Sequence, residues 1–269
     1  MPLLWLRVAL VLYGVGVVYV LLSLARKAAW LERLLAPAIL AGAVFHFVSL
    51  AELSIGRGDF VPASAHHAES LLAFLVVCFF LAFWSKYRTA TPGTVVFPLA
   101  FLLLLPSIFG EPAPEFSSPL LRSSGIFFHV ALIFLGYAAL LFSFVASLLY
   151  LVQERRLKAK SPKIWRLPPL EVIDQISYRS LLIGFPCITL GLLAGAVVAQ
   201  QHFGASFFHD TKIVLSLVVW AVYMILLLAR WNAGWRGRKA ALLATFGFLA
   251  AVGTWTANYV SGTHRFLSP

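Results

Sequence analysis

Apolar positions in this chain run in long blocks instead of alternating with polar ones, and short charged or Pro/Gly-rich segments separate the blocks. The blocks lie near 3–25, 35–54, 69–85, 92–109, 126–151, 178–200, 211–229 and 240–260. Each approaches or exceeds the roughly 20 residues a helix needs to cross a hydrocarbon core ~30 Å thick at ~1.5 Å rise per residue. Inside lipid every backbone N–H and C=O needs an internal partner, and helices supply it. The pattern predicts an all-α, polytopic transmembrane bundle of about eight helices, with 1–269 forming one membrane domain. No internal repeat or low-complexity tract interrupts it.

Composition agrees. Of 269 residues, 61% are hydrophobic and 12% charged, too little charge to cover a water-soluble surface. The formal charge of +11 raises the question of a polyanion partner, and its placement answers it. The loops 26–34, 86–91, 152–177 and 230–239, with Arg179, hold 16 of the 21 Lys and Arg residues; Arg7, Arg57, Arg122, Lys212 and Arg265 remain for the other side. Positive loops stay cytoplasmic, so both termini are expected on the outer side. The basic excess reads as topology, and no nucleic-acid partner is expected. The first block is too long for a signal-peptide core and Arg26 and Lys27 follow it directly, so it is kept as a helix.

The inner segment 152–177 opens on Glu154-Arg155-Arg156-Leu157-Lys158, which looks like a helix end continuing into the cytoplasm, then breaks at Leu167-Pro168-Pro169 before an amphipathic stretch from Leu170 to Ile176. That stretch suits either a short helix lying on the membrane surface or a solvated linker. Cys78 and Cys187 both sit within apolar blocks, without a C-x-x-C pair, which removes thioredoxin-type exchange, zinc ribbons and covalent haem attachment.

Histidines carry the chemical signal. None of the seven is cytoplasmic on this topology: His66, His67, His202 and His209 fall in outer loops, His129 opens the fifth helix and His264 follows the eighth. Neutral imidazole ligates iron well, and a pair must reach the metal from opposite sides. Two helix ends packed at ~8–10 Å could bring His129 and His264 to the two faces of a haem; each could equally be a lone interfacial histidine. His46 lies about 12 Å below the outer end of helix two. At that depth an ionisable group needs a partner, either a ligand or a carbonyl or hydroxyl of a neighbouring helix. No H-E-x-x-H, Gly-rich phosphate loop or nucleophile–base pair is present, so no enzyme activity is expected.

Four segments resemble the cytochrome c assembly protein family, polytopic proteins that handle haem during c-type cytochrome maturation. Gly58-Asp59-Phe60-Val61-Pro62 through Glu69-Ser70-Leu71 resembles an outer loop ending in Glu-Ser before a helix. His129 with Gly136-Tyr137-Ala138-Ala139 resembles the first outer histidine and its helix, and Gly262-Thr263-His264 the Gly-x-His of the second. Gly195-Ala196 through Gly204, Asp210, Lys212, Trp220 and Tyr223 follow the spacing of the tryptophan-rich haem-binding loop, and His46 matches an intramembrane histidine. Where that loop ends Trp-Asp-Pro-Lys-Glu in members that present haem, this chain reads His209-Asp210-Thr211-Lys212-Ile213, with Phe203 and Phe207 in place of tryptophans. Leu228 stands where a second intramembrane histidine would be. The departures weigh against a bis-histidine site within the membrane and leave the outer pair intact. The pattern is most similar to a compact branch that includes small proteins named after haem biosynthesis.

The resemblance implies a multi-pass protein of the cell inner (plasma) membrane that binds haem b non-covalently near its outer face, to hold or relay it. His129 and His264 would be the axial iron ligands. His46, Asp210, Lys212, Phe203, Phe207 and Arg265 would complete the cofactor site, aromatics stacking on porphyrin and cations meeting propionates. Partners would be the lipid bilayer, haem, and other cytochrome c maturation or haem-synthesis proteins. Two alternatives stand beside this: a regulator of a haem-biosynthesis enzyme acting through its cytoplasmic loops, and a small-solute transporter, against which the helices look continuous and His46 is the one clear midplane polar candidate.

Overall fold

The computed structural model describes residues 2–25, 29–58, 60–62, 64–87, 92–109, 124–160, 168–203 and 210–256. Among them eight helices run in order: α1 Pro2–Ala25, α2 Ala29–Arg57, α3 Ala65–Tyr87, α4 Gly93–Phe109, α5 Ser124–Lys158, α6 Leu170–Phe203, α7 Thr211–Asn232 and α8 Arg238–Thr256. No strand occurs among the described residues. Among the described residues six helices, α1–α3 and α5–α7, are long and apolar enough to cross a membrane. Helix α4 is apolar but has 17 residues, a length of roughly 26 Å.

The packing is that of a membrane protein. Apolar side chains point outward along whole helix faces, as with Val11, Val15, Val18 and Leu22 on α1 and Val214, Leu217, Val218 and Ile225 on α7. Polar side chains are turned inward: His46, Ser49, Ser70, Ser143, Ser147, Ser177, Ser180 and Thr254 are all buried. Each of these is hydrogen-bonded, for instance Ser143 and Ser147 to the Ser177 hydroxyl at 3.0 Å. A buried hydroxyl in an apolar medium needs such a partner.

The helices cluster into two compact units, one carrying α1–α4 (1–115 with 158–168) and one carrying α5–α8 (116–157 and 169–269). In the first, Gly42 lets α2 approach α1 so closely that a Cβ there would lie 2.9 Å from the Tyr13 ring. Phe80 and Phe97 meet edge to face at 4.8 Å where α3 and α4 pack.

In the second unit α5 and α6 approach through small residues, as membrane helices do when no water drives their association. A Cβ on Gly136 would run into Ile188 and come within 3.2 Å of the Gly184 carbonyl oxygen; one on Gly191 would lie 2.9 Å from Ile133. Gly184, Gly191 and Gly195 are spaced by seven and four residues, so they share one face of α6. The apolar core below includes Leu140, Leu181, Ile188, Tyr223, Leu226, Ala240 and Ala244.

The amphipathic stretch after Pro169 is not a separate surface helix. Residues 170–176 are the opening turns of α6, which continues unbroken to Phe203. Ile173 and Ile176 are buried, and Asp174 forms a two-pronged ion pair with Arg230 of α7 at 2.9 and 3.1 Å. Burial of two isoleucines and a paired carboxylate outweighs the interfacial alternative.

Candidate functional site

Helix α5 begins at Ser124, so His129 lies in its second turn, on the face turned to α6. Its Nδ1 sits 2.7 Å from the carbonyl oxygen of Gly191. A carbonyl can only accept, so Nδ1 carries the proton and the neutral ring presents its lone pair at Nε2. Nε2 has no hydrogen-bond partner among the described residues. This is the arrangement by which a metal-ligating histidine is held: one nitrogen fixed by a backbone carbonyl, the other bare.

Gly195, one turn beyond Gly191, makes room for the ring. A Cβ at that position would overlap Nδ1 and stand 2.6 Å from Cε1. The glycine face of α6 thus serves twice, bringing α5 close and seating His129 against it. Phe127 and Phe128 beside it are exposed, in edge contact at 5.5 Å.

At the start of α7, Asp210 is the N-cap: its carboxylate accepts from the backbone amide of Lys212 at 2.9 Å. That bond satisfies one of the orphan donors of a helix start. It also fixes the end from which Lys212 brings its ammonium into electrostatic range of the His129 ring. The structure therefore gathers His129, Lys212 and Asp210 around one end of α5–α7. Phe203 closes α6. Phe207, His264 and Arg265 lie outside the described residues.

His46 belongs to the α1–α4 unit and is fully buried. It lies eleven positions before the α2 terminus at Arg57, roughly 16 Å down. Nδ1 faces the Tyr13 hydroxyl at 3.3 Å and Nε2 the Ser70 hydroxyl at 3.0 Å. Phe74 closes on the ring edge-on at 5.4 Å. Hydroxyls from α1 and α3 thus engage both nitrogens, and an iron atom reaching this ring would first have to displace one of them. Leu228, a hydrocarbon side chain 43% exposed on α7, offers no ligand.

Sequence reasoning missed Gly191 and Gly195 as partners of His129, and Tyr13 and Ser70 as partners of His46. The first pair was readable: small residues recurring on one helix face mark a close approach. The second depends on which helices are neighbours.

A family model described as "Cytochrome C assembly protein" matches residues 63–254, from just before α3 to near the end of α8. The chain belongs to the cytochrome c assembly protein family. His129, Asp210 and Lys212 fall inside the match, whereas His46 and His264 fall outside it. The chain is similar to the protein named cytochrome c biogenesis protein CcsA in Prochlorococcus marinus strain MIT 9301, 30% identical over 220 residues, 72% of this chain and 71% of that one. The CcsA of strain MIT 9215 is 34% identical over 192 residues, 62% of each chain. That of Chlamydomonas reinhardtii is 29% identical over 199 residues, 71% of this chain and 56% of the algal protein. The chain thus spans between 56% and 71% of the length of these curated relatives.

Proposed function

We propose that this family member holds and relays haem at the outer face of the cell inner (plasma) membrane during cytochrome c assembly. The observation that carries this is His129, whose tautomer is set by the Gly191 carbonyl so that its lone pair lies at Nε2, which has no hydrogen-bond partner among the described residues. Family membership supplies the haem; the residues around His129 fit it. An imidazole lone pair, a nearby cation for a propionate and exposed phenylalanine faces are what an interfacial porphyrin site requires.

Haem b is bound non-covalently, with His129 and His264 as axial ligands. Haem is the cargo, and the protein's residues hold and orient it. Lys212 meets a propionate, with Arg265 as a second cation, and Asp210 fixes the helix end from which Lys212 projects. Phe203 and Phe207 contribute aromatic surface. The chain carries the porphyrin without transforming it, so it is not an enzyme. The outer side follows from the charge bias of the loops. Partners are the other proteins of cytochrome c maturation.

In the host, deleting the gene should lower the amount of covalently haem-stained c-type cytochromes. The full chain should restore them, and a stably inserted His129→Ala chain should not. Unaltered c-type cytochromes in the deletion strain, at normal haem supply, would refute the proposal.

A further inference from the structure

The turn joining α7 and α8 has a sequence and a geometry that the haem site does not explain. From Arg230 to Lys239 the chain reads Arg-Trp-Asn-Ala-Gly-Trp-Arg-Gly-Arg-Lys, four cations and two tryptophans without an acidic residue. Its backbone is fixed. The amides of Ala233 and Trp235 both donate to the Ala229 carbonyl at 3.1 Å. Gly234 and Gly237 take left-handed φ of 61° and 66°, a region that suits glycine.

The turn is also anchored to α6 and α5. The Gly237 amide donates to Asp174 at 3.3 Å, and the Tyr150 hydroxyl packs where a Gly237 Cβ would be, 2.6 Å away. Arg230 is consumed by this anchoring: Asp174 neutralises it, and it lies over the Tyr178 ring at 5.1 Å. The Trp231 indole N–H is held by the Tyr178 hydroxyl at 2.7 Å. What remains outward is a rigid platform. Trp231 and Trp235 are 58% and 37% exposed, Lys239 lies 5.8 Å from the Trp235 ring, and Arg236 is exposed. Arg238 reaches Glu154 only at 3.9 Å.

We infer that the α7–α8 turn is a binding site for the headgroup of an anionic phospholipid. Its phosphodiester is taken by Arg236 and Lys239, and its glycerol region rests on the two indoles. The site stands at the end of the membrane-crossing helix α7, where a lipid headgroup is the neighbouring anion. Tryptophan is suited to that depth, and basic clusters on the cytoplasmic side recruit acidic lipids. A preformed turn loses little freedom on binding, which separates this site from an ordinary basic loop.

The test is native mass spectrometry of the full chain released from micelles containing phosphatidylglycerol or phosphatidylcholine. Wild type should retain phosphatidylglycerol and shed phosphatidylcholine. Arg236→Gln with Lys239→Gln should weaken that retention roughly tenfold or more, at about fivefold per cation. The thermal midpoint should hold, because the Asp174–Arg230 anchor is untouched. Arg155→Gln with Lys160→Gln removes the same charge around the end of α5 and should leave retention near wild type. Equal losses in the two double variants, or equal retention of both lipids, would overturn the proposal by showing diffuse charge. Displacement of phosphatidylglycerol by millimolar inorganic phosphate, or by an acidic peptide at lower concentration than the lipid, would overturn it in favour of a soluble anion or a protein partner.

Discussion

Substituting Gly195 by alanine probes the seat of His129 without touching the imidazole. The new Cβ would stand 2.6 Å from Cε1 of the ring, where carbon atoms ordinarily approach to ~3.5–4.0 Å. The ring must retreat from α6 by about 1 Å. Retreat stretches the 2.7 Å bond from Nδ1 to the Gly191 carbonyl beyond useful length. Overpacking costs about 1–3 kcal/mol and the lost hydrogen bond about 0.5–1.5 kcal/mol. Alanine's better helix propensity returns up to ~1 kcal/mol. The net is a loss of about 0.5–4.5 kcal/mol. Losing the bond that orients a ligating histidine weakens metal affinity by about 10–100-fold. The assay is the Soret absorbance retained per protein after desalting in detergent, read beside the thermal midpoint. Gly253→Ala is the control, because a Cβ there meets nothing within 4 Å among the described residues; it should hold haem and gain slightly in stability. If Gly195→Ala matches wild type in both readouts, clearance at that position does not seat the ring.

Two further perturbations test the packing that positions the site. Asp174→Ala strands the Arg230 guanidinium, whose side chain is 6% exposed, and should cost about 3–5 kcal/mol; an unfolding titration showing under ~1 kcal/mol would mean the pair behaves as a surface contact. Ser70→Ala removes the hydroxyl at His46 Nε2 and should destabilise the protein by about 1–3 kcal/mol. His46→Leu should likewise lower stability yet leave the Soret band in place; a lost or shifted band would make His46 an iron ligand after all.

What could be read from the sequence follows from the range of each interaction. Hydropathy is a property of continuous segments, so the helix order and the membrane class were legible before any coordinates. Helix ends were less so. The charged run 154–158 reads as a helix end, and α5 does continue to Lys158; residues 170–177 carry charge that on a sequence suits a linker or a surface helix, yet Asp174 is satisfied by Arg230 fifty-six positions on. His46 showed the same limit: its depth announced that a partner was needed, and two hydroxyls from different helices supply it. At the His129 site the histidine and the cap residues were visible as residue types. The carbonyl that sets the tautomer was not, because backbone acceptors leave no mark on a sequence.

The central claim is that Nε2 of His129 ligates haem iron. It is tested most directly by the absorption spectrum of the full chain, purified in detergent after expression with ample haem, beside His129→Ala and His264→Ala. The wild type should show the Soret and visible bands of bis-histidine haem b, and each variant should lose haem or change its bands. A colourless wild type, or spectra unaffected by both substitutions, would contradict it.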